Sequence, residues 1–178
     1  WTTDELDYGL QDSGAGVVIA DRQRLERLAP LQGPLQLQLV GVGDYSGVEA
    51  TVHSFDDSVA RHAGAAMPDL AIAPDEHATI MYTSGSTGHP KGALSSHRGI
   101  LSSIYSFVLA GLAARVLAPE GDADNRFAPA GLLTVPLFHC TGSHTVFLLS
   151  LLIGRKLVIM HKWDAQEALR LVEEERVT

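Results

Sequence analysis

Residues 82–97 read YTSGSTGHPKGALSSH, and nine of these sixteen positions are Gly, Ser or Thr. A single lysine, Lys91, lies in the segment directly after Pro90. Glycines let a backbone approach a ligand closely, and successive N–H groups in such turns can form a nest for an anion. A lysine ammonium adds a mobile positive charge that attracts phosphate oxygens. The composition therefore indicates a loop that binds a polyphosphate.

The spacing of these residues excludes the two commonest nucleotide-binding loops. The pattern G-x-x-x-x-G-K-[ST] fails because Pro90 stands five positions after Gly85, and neither Gly85 nor Gly88 is followed by lysine. The pattern G-x-G-x-x-G requires glycines two positions apart, which this segment lacks. On composition and spacing alone, a flexible Gly/Ser-rich connector is the alternative interpretation.

The run TSGSTG-x-PKG closely resembles the signature of the adenylate-forming (AMP-binding) enzymes. This superfamily holds acyl-CoA synthetases, nonribosomal adenylation domains and beetle luciferase. The matching positions are Thr83, Ser84, Gly85, Ser86, Thr87, Gly88, Pro90, Lys91 and Gly92. Ser96-His97 also resembles the Ser/Thr-His pair that opens the next helix in this family, whereas Gly99 departs from the asparagine often found there.

A second segment, PLFHCTG at 136–142, resembles the family's P-x-F-H-x-x-G. In relatives this histidine lies near the acyl pocket, so the resemblance implies that His139 lines or gates such a pocket. Gly154-Arg155-Lys156 and then Trp163-Asp164 resemble the family's following G-x-x-V…F-D-x-E stretch. The opening ELDYGLQDSGAGVVIAD resembles the helix–strand unit ahead of the loop. The resemblance covers nearly the whole chain and points most strongly to fatty-acyl-CoA synthetases.

The resemblance implies an ATP-dependent ligase that forms an acyl-adenylate and pyrophosphate, after which coenzyme A takes the acyl group as a thioester. ATP and coenzyme A would be co-substrates, and Mg²⁺ would bridge the ATP phosphates. The residues implied to bind the ATP phosphates are Thr83, Ser84, Gly85, Ser86, Thr87, Gly88 and Lys91.

Three functional segments of the family are not found in these 178 residues. They are the acidic G-Y-G-x-T-E segment that helps to hold Mg²⁺, the T-G-D aspartate that binds ribose, and the C-terminal domain with its catalytic lysine. We therefore expect no catalytic residue and no metal ligand in this chain. We predict an internal fragment of a large N-terminal domain that does not make acyl-CoA by itself.

Two other functions stay open. One is an amino-acid- or aryl-activating adenylation domain, although the aliphatic PLFHCTG neighbourhood favours acyl substrates. The other is a non-catalytic nucleotide-binding module, against which the intact TSGSTGHPKG argues.

His139 has a simpler interpretation as a packed histidine at the end of a strand. A metal site of His139, Cys140 and His144 matches no common zinc pattern. A nucleophilic Cys140 activated by His139 is disfavoured, because adjacent positions on a strand point to opposite faces.

The elements that would position these residues follow from hydrophobic periodicity. Strands and helices alternate, which predicts an α/β fold with layered αβα architecture and a mainly parallel sheet. The helix with apolar residues over 100–112 is predicted to belong to the core. Helices are predicted over 3–13, 22–28, 55–63, 97–118, 142–153 and 164–175, and strands over 16–20, 35–40, 78–83, 132–136 and 156–160.

The polar run EGDADNR (120–126) predicts a boundary between two parts of the chain. We expect an αβ portion with the phosphate-binding loop over 1–118, a linker over 119–126, and the start of a second αβ portion on the acyl-pocket side over 127–178.

Composition limits partners and location. The formal net charge of −8 argues against a sequence-independent nucleic-acid surface. The single cysteine, Cys140, allows no intrachain disulfide, which fits a reducing compartment. No secretory signal is found, and the most apolar stretch, 145–153, is too short to span a bilayer. We therefore expect a cytoplasmic protein with small-molecule substrates and no integral membrane segment. We also expect self-association through sheet edges left uncovered.

Overall fold

The computed structural model describes residues 1–83, 90–117 and 127–178 of the 178-residue chain. The chain divides into two compact units. Unit 1 comprises residues 1–71 and 82–92, and unit 2 comprises residues 72–81 and 93–178. The predicted linker at 119–126 lies outside the described residues, so the predicted domain boundary stays a prediction.

Helices and strands are interspersed along the described residues, and the α/β class with parallel strand pairing is confirmed. The helices are α1 (Thr3–Ser13), α2 (Arg22–Leu28), α3 (Phe55–Arg61), α4 (His97–Leu117), α5 (Leu149–Ile153) and α6 (Ala165–Glu174), with a 3₁₀ helix at Ala29–Leu31 and a π-helix at Thr141–Leu148. The strands are β1 (Val17–Ala20), β2 (Gln38–Gly41), β3 (Val52–Ser54), β4 (His77–Thr83), β5 (Lys91–Ser96), β6 (Ala130–Leu133) and β7 (Lys156–Ile159).

In unit 1 a parallel sheet has the order β1-β2-β3. The register pairs Val17 with Gln38, and Leu39 with Val52. Helix α1 ahead of this sheet begins with a capping box, in which the Thr2 hydroxyl accepts from the Glu5 amide and the Glu5 carboxylate accepts from the Thr2 amide. These local signals place α1 where the sequence predicts it.

The core of unit 1 lies between the sheet and α2. Leu25 and Leu28 of α2 are buried together with Leu39 of the central strand β2. Ala20 and Leu37 complete this buried cluster, and Leu6 and Leu10 of α1 pack against it. Burial of these aliphatic side chains is the main favourable contribution to folding of the unit.

In unit 2, β6 and β7 pair in parallel from Ala130 with Lys156 to Leu133 with Ile159. The Asp164 side chain caps α6 by accepting from the Glu167 amide at 2.8 Å. The strands β4 and β5 form a separate two-stranded sheet, of which residues 82–83 and 91–92 belong to unit 1.

The bounds of two predicted strands were wrong. The predicted strand 35–40 begins at Gln38, because Gln36 adopts a left-handed conformation with φ 52° and the Leu37 amide donates to the Gln32 carbonyl. The predicted strand 132–136 is β6, which ends at Leu133 opposite the last residue of its partner β7. No strand was predicted at β3. Residues Lys91–Ser96 were predicted to lie in a loop, whereas they form β5.

The prediction that the helix over 100–112 belongs to a core was largely wrong for this chain. Of α4, only Ile100 and Ile104 are buried. Helix α4 is also long and apolar enough to cross a membrane by length and composition, although such a helix is weak evidence of a span. The most apolar stretch of the sequence, 145–153, is the shorter one.

Candidate functional site

The two described ends of the signature loop lie side by side in unit 1. Thr83 is the last residue of β4, and Lys91 is the first residue of β5. The Thr83 hydroxyl donates to the Lys91 carbonyl oxygen at 3.4 Å. Both residues are exposed, and no ion pair among the described residues includes Lys91. An exposed ammonium and an exposed hydroxyl on paired strand ends are suited to bind an anion from solution.

The other predicted phosphate-binding residues, 84–88, lie outside the described residues. The structure therefore brings together Thr83 and Lys91 from the predicted set. The roles of all seven residues stay predictions.

Tyr82, directly before Thr83, forms hydrogen bonds with α1. Its hydroxyl lies 2.6 Å from the Asp12 carboxylate and 3.3 Å from the Gly9 carbonyl oxygen. Its ring packs edge-on against the Trp1 ring, with 5.4 Å between the ring centres. Hydrogen bonding to Asp12 is the main cause that raises the pKa of the Tyr82 hydroxyl, so the hydroxyl keeps its proton for this bond. Sequence reasoning treated Tyr82 only as part of an apolar strand.

In unit 2, the start of α4 is fixed by side chains and by the segment ahead of β4. The Ser96 hydroxyl accepts from the Gly99 amide at 3.2 Å, so Ser96 of the Ser96-His97 pair caps α4. The His97 amide donates to the Glu76 carbonyl at 3.1 Å, and the Arg98 guanidinium bonds both oxygens of Asp75 at 2.7 and 3.0 Å. Asp75 and Glu76, just ahead of β4, are thus bonded to the helix that follows the loop.

His139 lies in a turn after β6 and is exposed. Its amide donates to the Pro136 carbonyl at 3.0 Å, and its carbonyl accepts from the amide and the hydroxyl of Ser143. The interpretation of His139 as a packed residue at a strand end was therefore wrong. The argument against Cys140 as a nucleophile also assumed a strand, whereas Cys140 is an exposed residue just ahead of the π-helix. The acyl-pocket role of His139 stays a prediction.

The segment after His139 is a π-helix over Thr141–Leu148 that continues into α5, where the sequence predicts one regular helix over 142–153. The π-helix can begin here because Gly142 has no side chain: a Cβ at this position would lie 2.4 Å from the Pro136 carbonyl oxygen. His144 is buried within the same helix. Long π-helices are rare and are often found near functional sites.

Arg155 braces the junction between the π-helix and α5. Its guanidinium donates to the Ser150 hydroxyl at 2.9 and 3.1 Å and lies 3.4 Å from the Val146 carbonyl. Ser150 is almost completely buried and also bonds the Val146 carbonyl. Gly131 of β6 leaves room for the guanidinium, since a Cβ there would lie 3.0 Å from it. The positions that the resemblance aligns after the helix thus support the segment that carries His139.

Neither the main groove of unit 1 nor the clustering of acidic, histidine and cysteine side chains adds a second site. A groove of about 510 Å³ lies beside the ends of β2 and β3 and is lined by residues of 43–54, none of which belongs to the signature. Across the described ranges, no group of three or more His, Cys, Asp or Glu residues is placed to hold a metal ion.

Comparison with known proteins assigns the class. The family model for AMP-binding enzymes matches residues 1–178. The chain belongs to the AMP-binding enzyme family, and the family predicted from TSGSTGHPKG and PLFHCTG is confirmed.

Curated relatives and a solved structure agree with this assignment. Feruloyl-CoA synthase from an Amycolatopsis species is 31% identical over 98% of the chain and 30% of its own length. The long-chain-fatty-acid–CoA ligase FadD13 from Mycobacterium tuberculosis is 31% identical over 97% of the chain and 31% of its own length. A solved structure from Rhodopseudomonas palustris, provisionally named a long-chain-fatty-acid CoA ligase, superposes with a TM-score of 0.76 at 25% identity. The match covers all of this chain and 40% of the solved chain. The chain thus spans about a third of the length of the curated relatives that it matches.

Proposed function

We propose that the chain provides the ATP phosphate-binding part of an AMP-forming acyl-CoA ligase. The observation that carries this proposal is the pairing of Thr83 with Lys91. These residues are the two described ends of an intact family signature, and they are joined at 3.4 Å with both side chains exposed. The intact signature also argues against a non-catalytic nucleotide-binding module.

The proposed reaction has two steps. A substrate carboxylate oxygen attacks the α-phosphorus of ATP and pyrophosphate leaves, which gives an acyl-adenylate. The thiol of coenzyme A then attacks the acyl carbonyl, and AMP leaves as the thioester forms. In the first step, charge develops on the departing pyrophosphate, and fixed donors with a lysine ammonium stabilise that charge.

Mg²⁺ fits this site through the phosphates rather than through a protein cage. The described part of the chain offers Thr83 and Lys91 beside the proposed phosphates, and it holds no cluster of metal-ligating side chains. When bound, the cation would neutralise phosphate charge. The Thr83 hydroxyl and the Lys91 ammonium would orient the phosphates.

A pyrophosphate-exchange assay on the full-length protein tests this function. We expect Lys91→Ala and Thr87→Ala each to slow exchange about 100- to 1,000-fold, the range for loss of a donor that stabilises developing charge. Lys162→Ala is the matched control, because Lys162 is also an exposed lysine but lies far along the chain from the signature. Exchange at the wild-type rate in both signature variants would refute the assignment.

The substrate class that we propose is a fatty acid. Leu137 and Phe138, next to His139, are exposed apolar side chains that could meet an alkyl chain. An aryl acid is the second candidate, because feruloyl-CoA synthase and the fatty-acid ligase FadD13 are equally similar to the chain. An amino acid is the third.

A substrate panel separates these candidates. Pyrophosphate exchange by the full-length protein would be measured with fatty acids of increasing length, with ferulate and coumarate, and with amino acids. We expect fatty acids to be preferred and His139→Ala to raise KM for the acid more than KM for ATP. Preference for ferulate or for an amino acid would overturn the fatty-acid proposal while leaving the ligase class intact.

We propose further that the isolated 178-residue chain binds MgATP without forming thioester and that the protein is cytoplasmic. Calorimetry with MgATP tests binding, and detection of acyl-CoA from the isolated chain would contradict the first proposal. Fractionation of cells that express the full-length protein tests its location.

A further inference from the structure

Tyr82 occupies the last position before the signature. It lies in the part of β4 that belongs to unit 1, and Thr83 directly follows it. The same unit contains α1, whose residues Gly9 and Asp12 lie one turn apart on one face. The Tyr82 hydroxyl meets both residues, although they are 70 or more positions distant in sequence.

The contact with Asp12 is a strong hydrogen bond. Its oxygen–oxygen distance is 2.6 Å and its acceptor is a carboxylate, so charge assists the bond. The hydroxyl has one proton, which it donates to the nearer Asp12 oxygen, and the Gly9 carbonyl at 3.3 Å adds a weaker attraction. The bond therefore fixes the direction of the Tyr82 side chain and, through it, the end of β4.

Aromatic packing restrains the same ring. Trp1 meets Tyr82 edge-on at 80° between the ring planes, an arrangement that aromatic pairs favour. Gly9 makes this close approach possible, because a Cβ there would lie 2.4 Å from the Trp1 ring. The Trp1 carbonyl is itself bonded by the Arg27 side chain of α2 at 2.8 Å. Tyr82 is thus connected through Trp1 to α2 of unit 1.

We propose that Tyr82 is a positioning residue for the phosphate-binding loop: through Asp12 and Gly9 of α1, it fixes the point where β4 ends and the signature begins. The set of Tyr82, Asp12 and Gly9 is called the Tyr82 clamp. This inference rests on the proposed function, in which Thr83 and Lys91 bind phosphate. By holding Thr83 beside Lys91 before ATP arrives, the clamp lowers the entropy that binding must otherwise remove.

The test compares Tyr82→Phe, which keeps the ring but removes the hydroxyl, with Asp12→Ala, which removes the acceptor from the other side. Asp12→Asn keeps an oxygen acceptor and is the conservative rescue. Tyr105→Phe is the matched control, because Tyr105 is exposed on α4 in unit 2. Circular dichroism checks that each variant is folded.

Two measurements are made on the 178-residue chain. Amide hydrogen exchange at Thr83 and Lys91 reports on the strand ends without ligand, with Leu39 of the core as internal reference. Calorimetry with MgATP reports on binding. We expect Tyr82→Phe and Asp12→Ala to accelerate exchange at Thr83 and Lys91 about two- to tenfold and to weaken MgATP binding by a similar factor. Leu39 in each variant, and all readouts in Tyr105→Phe, should stay near wild type. Asp12→Asn, which keeps an acceptor but loses its charge, should lie between wild type and Asp12→Ala.

The outcomes separate the clamp from the proposed function. Wild-type exchange and wild-type affinity in Tyr82→Phe would overturn the clamp. Equal acceleration at Leu39 would also overturn it, because the hydroxyl would then support the whole unit rather than the loop. A wild-type chain that binds no MgATP would contradict only the proposal that the isolated chain binds MgATP, and exchange at Thr83 and Lys91 would still decide whether the clamp holds the strand ends. The proposed function is tested separately, by pyrophosphate exchange in the full-length protein.

Discussion

Gly142 leaves no room for a side chain. A Cβ at this position would lie 2.4 Å from the Pro136 carbonyl oxygen and 2.6 Å from the Val135 carbonyl oxygen, and both obstacles are backbone atoms. Gly142→Ala must therefore displace the turn that carries His139 or the start of the π-helix. We expect a loss of about 1–3 kcal/mol in the free energy of unfolding, the usual range for overpacking. Urea denaturation measures this loss.

Gly111 provides the matched control for that substitution. It lies in the middle of α4, and nothing would come within 4 Å of an added Cβ. Because alanine favours a helix more than glycine does, Gly111→Ala is expected to stabilise the chain by about 0.5–1 kcal/mol. A Gly142→Ala variant as stable as Gly111→Ala would show that the turn adjusts without cost.

Local signals at single residues were predicted well, and longer-range contacts were not. The helices predicted over 22–28 and 164–175 begin at Arg22 and Ala165, where the side chains of Asp21 and Asp164 each accept from the amide three positions on. The contact of Tyr82 with Asp12 and the brace of Arg155 on Ser150 join residues of different elements. No periodicity in a single sequence encodes such pairs, so the residues that support the candidate site were missed.

At the scale of elements, the start of α4 depends on an exposed ion pair. Bonding by Arg98 lowers the pKa of the Asp75 carboxyl below its ordinary value, and Arg98 also donates its amide to the Pro74 carbonyl. A lowered carboxyl pKa contributes stability that is present above the pKa of the unfolded chain. That stability is lost as pH falls through the lower pKa of the folded state. The pair is therefore expected to hold at neutral pH and to fail only in acid, below the ordinary range for aspartate.

An NMR titration of Asp75 tests this expectation. In Arg98→Gln, the Asp75 pKa should rise back toward its ordinary value, because the bonded guanidinium is gone. Lys162→Gln, which removes an exposed positive charge elsewhere, should leave the titration unchanged. The ion pair would be refuted as the cause if Asp75 titrated alike in Arg98→Gln and the wild type.

The strands show why element bounds were less predictable than element types. The alternating pattern of Leu35, Leu37 and Leu39 is typical of a strand, yet the backbone turns at Gln36 and only the end of the run pairs with β1. The Leu37 amide donates to the Gln32 carbonyl and so does not pair with a strand, while the Gln32 side chain bonds both the amide and the carbonyl of Thr51. Alternation reports which side chains are apolar, whereas strand bounds depend on which neighbour accepts the backbone hydrogen bonds.

At the scale of the whole chain, much apolar surface is exposed. Leu109 and Val116 of α4 are 68% and 85% exposed, and Val17 and Ile19 of β1 are 57% and 58% exposed. Core membership for α4 was predicted from the periodicity of its apolar residues. Periodicity shows that a helix has an apolar face, but not which other part of the chain covers that face. Exposed apolar patches of this kind favour association.

Self-association through sheet edges is therefore expected for the isolated chain. Strand β1 is at an edge of the described β1-β2-β3 sheet, and its exposed Ile19 makes that edge apolar. Light scattering over a concentration series should give a mass above the 19.0 kDa of one chain that rises with concentration.

Ile19→Lys should shift the mass toward 19.0 kDa, because lysine on an edge strand opposes pairing with another chain. Leu109→Lys makes the same kind of change on α4, away from any edge, and should leave the association in place. A clean monomer in the wild type would contradict self-association altogether. A monomer produced by Leu109→Lys but not by Ile19→Lys would instead move the association surface from the sheet edge to α4.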